Sequence, residues 1–392
     1  MEHIDWTPDK ANSISSSTGR LVVDGQRAAE VRPDSSSKTQ IVALMDLLDL
    51  HLSNVDAGQP VEPGRVTLRV PTLASEARGA LGTMIDALSG TLRVRVLEME
   101  QAPDWSQATV GWNPADLNEY SGWPELLARP RPVPALVSEI VALAGSPSLR
   151  AYPMLSTTAG WSLRLEGLEV GRANSKRIHL KVGKDGKLGS RSLQRKVWVD
   201  STGHADPLVS SDAMEAAKVI SDFADAWQEL GKSSADQDEH ALESRILRAA
   251  APIAIDGKPL AVIEPDPIVN WGSQFLTKWG PGGKSRYLDA LLRDGSIPWA
   301  IEMKVQGGAG VGQYYRHAVA QAVLYREFIR QATPLHKWFE DRELDAAKCH
   351  ASVVVPRLAN PRQAQWRDHV ARLCEAVGVA FVEVDPEYAR RH

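Results

Sequence analysis

The stretch from Arg286 to Val305, RYLDALLRDGSIPWAIEMKV, decides how this chain is read. Asp294-Gly295-Ser296 carries turn chemistry between two apolar runs, which predicts a β-hairpin closed by a two-residue loop at Gly295-Ser296. That loop sets Asp289 opposite Glu302, since each stands six positions from it. Side chains alternate along a strand, so Lys304 shares the face of Glu302 while Ile301, Met303 and Val305 point the other way. Two carboxylates about 5 Å apart across a hairpin repel each other. A divalent cation between them removes the conflict, and oxygen ligands of this kind suit Mg2+ or Mn2+. Lys304 beside such an ion would serve the attacking water and stabilise charge on a phosphate. The bland alternative is an exposed acidic strand edge.

Outward from this hairpin, the order from Glu239 reads helix (EHALESRILRAA), a long Pro/Gly/Trp-rich connection, the two strands, a Gly-rich loop, helix (GQYYRHAVAQAVLYREFIRQ), strand (HASVVVP), helix (AQWRDHVARLCEAV) and strand (VAFVEV). On the long helix Gln313, His317, Gln321 and Tyr325 recur every four residues and make a slowly drifting polar stripe. The loop QGGAGVG has no Lys-Ser/Thr after its glycines, so it is a flexible connection rather than a P-loop. Trp271, Lys278, Trp279, Lys284 and Arg286 precede the first acid, a mixture that suits gripping a nucleic-acid strand or plugging a core. Glu264 and Asp266, in EPDP, are expected in turns.

This arrangement resembles the PD-(D/E)XK nuclease superfamily, through Asp289, Glu302-Met303-Lys304 and the Gln321-to-Tyr325 spacing of the RecB-like Q-x-x-x-Y variant. The resemblance covers about Glu239 to Val384, and Leu288 stands where the family name has a proline. It implies a restriction-endonuclease-like core, a mixed sheet flanked by helices, with Glu243 as a further metal-holding acid. Gln321 would then bond a phosphate or a metal-bound water, Tyr325 would pack beneath it in the substrate groove, and cleavage would leave a 5′-phosphate.

The 392 residues exceed what one core usually organises, so two domains are expected. Residues 1–38, rich in Ser, Asp and Gly, read as a flexible leader; 39–200 as a separate α+β recognition or regulatory domain; 201–238 as linker and connecting helix; and 239–392 as the nuclease-like domain. Within the second of these, TQIVALMDLLDLHL and Ser75–Leu88 predict helices, VTLRV and TLRVRVLEME strands. Trp105, Trp112 and Trp123 in a proline-rich segment serve either to stack bases or to anchor a loop. A helix near Ala135–Ala144 precedes WSLRLEGLEV, RIHLKV and RKVWV, three antiparallel strands by their patterning, with KDGK as a hairpin turn.

Charge is unevenly spread. Arg172 to Lys196 carries nine lysines and arginines against the single acid Asp185, in a chain whose net charge is −4. Such segregation attracts phosphate. Lys176, Arg177, Lys181, Lys184, Lys187 and Arg191 are the candidate nucleic-acid contacts here, joined by Lys284, Arg286 and Tyr325 near the acids. Cys349 and Cys374 are far apart and predict buried thiols, neither a disulfide nor a thiolate zinc site. The start has no signal-peptide pattern and no apolar run spans a bilayer, so a cytoplasmic protein without membrane contact is expected. The function expected is a Mg2+- or Mn2+-dependent deoxyribonuclease acting in restriction, phage defence or repair, with DNA, and a protein partner or second copy, as partners. The alternatives are a non-catalytic DNA-binding or scaffolding protein and a nuclease for RNA.

Overall fold

The computed structural model describes residues 3–4, 18–23, 26–31, 41, 44–45, 47–49, 51–52, 65–71, 75–99, 108–109, 131–154, 160–183, 192–232, 237–271, 275–277, 286–305, 311–357 and 361–390. The chain forms two compact units, each assembled from separate segments. The first comprises Met1–Ser121, Leu276–Leu288 and Gly295–Glu383; the second comprises Gly122–Phe275, Asp289–Asp294 and Val384–His392. Among the described residues no helix is long and apolar enough to cross a membrane.

The first unit opens with a six-stranded sheet in sequence order: β1 (His3–Ile4), β2 (Thr18–Val23), β3 (Gln26–Val31), β4 (Arg65–Pro71), β5 (Arg93–Met99) and β6 (Ala108–Thr109). It is mixed. β1, β2 and β3 are antiparallel, β3 to β5 are parallel, and β6 returns antiparallel. Parallel neighbours need a crossover, and α1 (Ser75–Leu88) supplies it between β4 and β5, burying Ala80, Leu81, Met84 and Leu88 on one stripe. Thus Thr18–Val23 and Gln26–Val31, read as part of a loose leader, lie instead in paired strands, with Val23 opposite Gln26. The sequence signal was Asp24-Gly25, a two-residue hairpin pair.

The second unit continues with α2 (Ala135–Ala144), β7 (Leu149–Pro153), β8 (Trp161–Leu165), β9 (Leu168–Ala173), β10 (Ile178–Leu180), α3 (Leu193–Thr202), β11 (Leu208–Ser210) and α4 (Ala213–Lys232). Its five strands form an antiparallel sheet in the order β11-β10-β9-β8-β7. The core joins Leu149, Leu163, Ile178 and Leu180 of the sheet to Ile140, Trp198, Ile220 and Phe223 of the three helices. Trp198 meets Phe223 at 5.5 Å between ring centroids, and Phe223 stacks on Trp227 at 5.8 Å.

Three expectations change here. WSLRLEGLEV is not one strand, because Glu166-Gly167 folds β8 back on β9. RKVWV is helical: the Ser192 side chain caps Arg195 N–H, Gly203 ends α3 at φ 74°, and a helical turn rather than alternation buries Arg195 and Trp198. Ser201–Asp212, read as a linker, holds the end of α3 and β11.

Next come α5 (Glu239–Leu247), the small hairpin of β12 (Ala254–Ile255) and β13 (Lys258–Pro259), and β14 (Ala261–Val262). β15 (Phe275–Thr277) and β16 (Arg286–Leu288) make a two-stranded sheet. After a bend at Asp289, β17 (Ala290–Asp294) of the second unit runs antiparallel to β14. The chain then turns over Gly295-Ser296, with Gly295 at φ 56°, at the loop the sequence predicts.

The first unit closes with β18 (Ile297–Met303), α6 (Val311–Gln331), α7 (His336–Glu340), β19 (His350–Pro356), α8 (Pro361–Ala376) and β20 (Ala380–Val384). β18 pairs in parallel with β19, α6 makes the crossover and packs on both, and α8 packs on α6. The protein is therefore a mixed α/β chain whose mixed sheet is flanked by helices.

Candidate active site

Strand β18 ends in Glu302 and Met303, and Lys304 follows directly. Its parallel pairing with β19 sets Glu302 beside Val353 and Met303 beside Val354. Parallel strands are typically covered on both faces, and β18 follows that rule: Glu302 is 0% exposed, and Ile301, Met303 and Lys304 are buried with it. A solvated acidic edge is thereby excluded for Glu302. The Lys304 ammonium donates to Glu302 Oε1 at 2.5 Å and to the Met303 carbonyl at 2.6 Å, as expected for residues two apart on one strand face.

Asp289 is also buried, between Leu288 and Ala290, which are both fully enclosed. It does not sit inside a continuous strand. The expected strand RYLDALLR breaks at Asp289 because β16 pairs with β15 while β17 pairs with β14, and the acid occupies the bend between them.

Helix α5 presents Glu243. Asp238 caps its first turn by accepting from His240 N–H, and every residue from Ala241 to Leu247 is buried. The helix packs against β17. Glu243 Oε2 lies 3.2 Å from His240 Nδ1, and that hydrogen bond raises the His240 pKa against the opposing effect of burial.

Gln321 and Tyr325 meet one turn apart on α6, where Gln321 Nε2 donates to Tyr325 Oη at 3.0 Å. The wholly buried Tyr325 hydroxyl donates in turn to the Tyr287 carbonyl at 2.9 Å. The Q-x-x-x-Y spacing thus ties α6 to β16, two residues ahead of Asp289. His317 is buried on the same helix. Tyr325 is therefore no exposed nucleic-acid contact: its ring is core, and only its hydroxyl does polar work.

The first unit thus brings together Glu302 with Lys304, and Gln321 with Tyr325; the second brings the helix of Glu243 against the strand that follows Asp289. Among the described residues no three or more His, Cys, Asp or Glu side chains group as a ready-made metal cluster.

Of the candidate nucleic-acid contacts, Lys176, Arg177 and Lys181 are exposed along the β9–β10 connection and just beyond β10. Asn174 Oδ1 accepts from Lys176 N–H and Arg177 N–H, which fixes that turn. Arg286 opens β16. Lys184, Lys187, Arg191, Lys278, Trp279, Lys284, the residues 306–310 of the Gly-rich loop, and Trp105, Trp112 and Trp123 lie outside the described residues, as does the side chain of Gln313. Arg195 must be removed from the basic surface, since it is 2% exposed and donates to the Ala205 carbonyl. Trp271 is 3% exposed and packs on Phe275 at 5.9 Å, so it plugs the core. The Glu264 side chain accepts from Asn270 N–H, and the Glu264 and Asp266 carbonyls accept from Arg150, the turn role expected of EPDP.

Two buried ionic clusters escaped the sequence reading. In the first unit Asp49 accepts from Arg316 of α6 and, on α8, meets His369 Nδ1 at 3.1 Å and Arg372 Nη2 at 3.3 Å. In the second, Glu166 meets Ser148, Arg245 and Arg248. Neither has a local sequence signature, because each acid finds partners far along the chain. Compared with protein-family models, curated proteins and solved structures, the chain matches none.

Proposed function

We propose that this protein is a metal-dependent deoxyribonuclease built on a PD-(D/E)XK-type core, with an α+β region for recognition. The observation that carries the reading is the buried Glu302–Lys304 pair at the end of β18. A buried ion pair gives little net stability over an apolar pair of the same size, so its burial at a strand end is best explained by chemistry. The Tyr325–Tyr287 bond supports the same reading, because it fixes α6 beside the chain that leads into Asp289.

Each of the three acids suits the ion by its chemistry. Asp289, Glu302 and Glu243 are buried carboxylates, and Mg2+ or Mn2+ takes hard oxygen ligands, often only one or two carboxylates with waters in the remaining positions. When bound, the ion would stabilise charge developing on the phosphate oxygens. Lys304 would orient the attacking water, and Gln321 would hold a phosphate oxygen. Water oxygen attacks phosphorus in line, the P–O3′ bond breaks, and the proton shed by water ends on the 3′-oxygen, leaving a 5′-phosphate and a 3′-hydroxyl. Fusion of a cutting core to a recognition region suits phage defence or restriction, an analogy of architecture.

A non-catalytic DNA-binding protein is the second reading, favoured by exposed Arg172, Lys176, Arg177 and Lys181 in the second unit. Plasmid, linear duplex, single strands and RNA incubated with Mg2+ or Mn2+ separate the two, beside Asp289→Ala and Lys304→Ala. Cutting of DNA that both variants abolish is expected. Cleavage that persists in both rejects this site, RNA cutting alone changes the substrate class, and binding without any cutting favours the second reading.

A further inference from the structure

The turn between β8 and β9 is built from an unusual residue. Glu166 and Gly167 both have positive φ, 47° and 79°, in a two-residue loop with Leu165 opposite Leu168. Such loops favour Asn, Asp or Gly, which tolerate the left-handed region; glutamate does not share that preference. Its side chain explains its presence. The Glu166 carboxylate is 5% exposed, accepts from Ser148 Oγ at 2.8 Å, and is ion-paired with Arg245, Nε to Oε2 at 3.1 Å, and with Arg248. Gly167 completes the contact: a Cβ there would lie 2.4 Å from the His240 carbonyl oxygen. The turn therefore presses on α5 at its first residues and binds it by charge at its end.

Arg245 also anchors α5 from another side. Its Nη1 donates to the Tyr388 carbonyl at 2.9 Å and the Arg390 carbonyl at 2.8 Å, while Asp238 N–H donates to the Ala389 carbonyl at 2.8 Å. Residues two apart on a helix point about 200° apart around its axis. Fixing Arg245 therefore fixes the direction of Glu243 on the opposite side. We infer that Glu166 is a positioning residue, through which the β8–β9 turn sets the orientation of α5 and so the presentation of the Glu243 carboxylate to a divalent cation. This rests on the reading above, in which Glu243 helps hold that ion.

The test uses the full chain and two measurements: amide hydrogen exchange over 239–247, and Mn2+ binding followed by the electron paramagnetic resonance of free Mn2+. Glu166→Gln keeps the size of the side chain but removes its charge. Its exchange protection should fall in α5 while that of α6 and β18 holds, and its Mn2+ dissociation constant should rise about tenfold, the lower range for loss of a residue that orients a metal ligand. Glu243→Gln should weaken Mn2+ binding at least as much, and duplex DNA binding in EDTA should be unchanged in Glu166→Gln. If Glu166→Gln does not fold, Glu166→Gln/Arg248→Gln removes one cation as well and should give the same two losses. Unchanged α5 protection overturns the inference. So does lost protection with wild-type Mn2+ affinity. A wild-type protein that binds no Mn2+ instead sinks the nuclease reading, and the exchange data alone then decide whether Glu166 holds α5.

Discussion

Lys304 and Glu302 show what a single side chain costs and supplies. The carboxylate is wholly enclosed and the ammonium nearly so. Desolvating both charges offsets most of their attraction, whereas removing only one strands the other in a dry interior. Lys304→Met should therefore lower unfolding free energy by about 3 kcal/mol, read from urea denaturation. Adding Glu302→Gln should recover part of that loss, since no uncompensated charge remains. Cleavage should be absent in both. Full stability in Lys304→Met would mean that the pair is not a buried ionic contact in solution. The two cysteines behave as simple buried thiols: burial pushes Cys349 up to about 12 and raises Cys374 further.

Helix α6 shows how elements are locked together, and how much of that locking a sequence displays. Its length and its place after β18 follow from periodicity, as does β18 itself, and the Gly295-Ser296 turn follows from its residue types, whereas the expected polar stripe does not hold, since His317 and Tyr325 are buried. The Tyr325 hydroxyl bond to Tyr287 is less visible, because it joins residues far apart in sequence; Tyr325→Phe should cost about 1 kcal/mol in urea denaturation, and an unchanged midpoint would show that water replaces the bond. Asp49 lies further beyond local reading, since an Asp in an apolar helix pattern gives no hint of Arg316, His369 and Arg372. The sequence also misled where β-branched residues imitate alternation, as in α3, whose cap at Ser192 and stop at Gly203 outweigh Val197 and Val199. The Asp49 cluster carries a pH signature. Its hydrogen bond to Asp49 raises the His369 pKa above 6.5, against burial; that stabilisation is full below pH 6.5 and lost as pH rises through the raised folded value. Burial alone would raise the Asp49 pKa, but His369 and Arg316 hold it below 3.8, so its stabilisation is present above pH 3.8 and lost as pH falls through the lowered value. The stability difference between wild type and Asp49→Asn should therefore peak between pH 3.8 and 6.5. It should shrink on either side, and a flat difference across urea titrations at several pH values would remove His369 from the cluster.

Across the whole molecule, charge placement matters more than charge sum. The chain is acidic overall at −4, which by itself opposes binding to a polyanion. Yet exposed Lys176, Arg177 and Lys181 lie close together in sequence around β10, and Arg172, paired with Glu169 at 2.7 Å, stays largely open to solvent. The sheet behind them packs against the helices of the second unit on its apolar face. Cations fixed on such a surface keep their spacing when they meet phosphates, and each contact releases condensed counterions. If this surface holds DNA, Lys176→Glu/Arg177→Glu/Lys181→Glu should flatten the plot of log affinity against log salt by roughly 2 to 3 for duplex DNA, about 0.9 per lost phosphate contact. Affinity should fall alike for unrelated sequences, because phosphate contacts carry no base information. Thermal stability should stay near wild type, as exposed positions without a structural partner tolerate substitution. An unchanged salt slope would make the basic run an ordinary solvated face, and the grip on nucleic acid would then have to come from elsewhere in the chain.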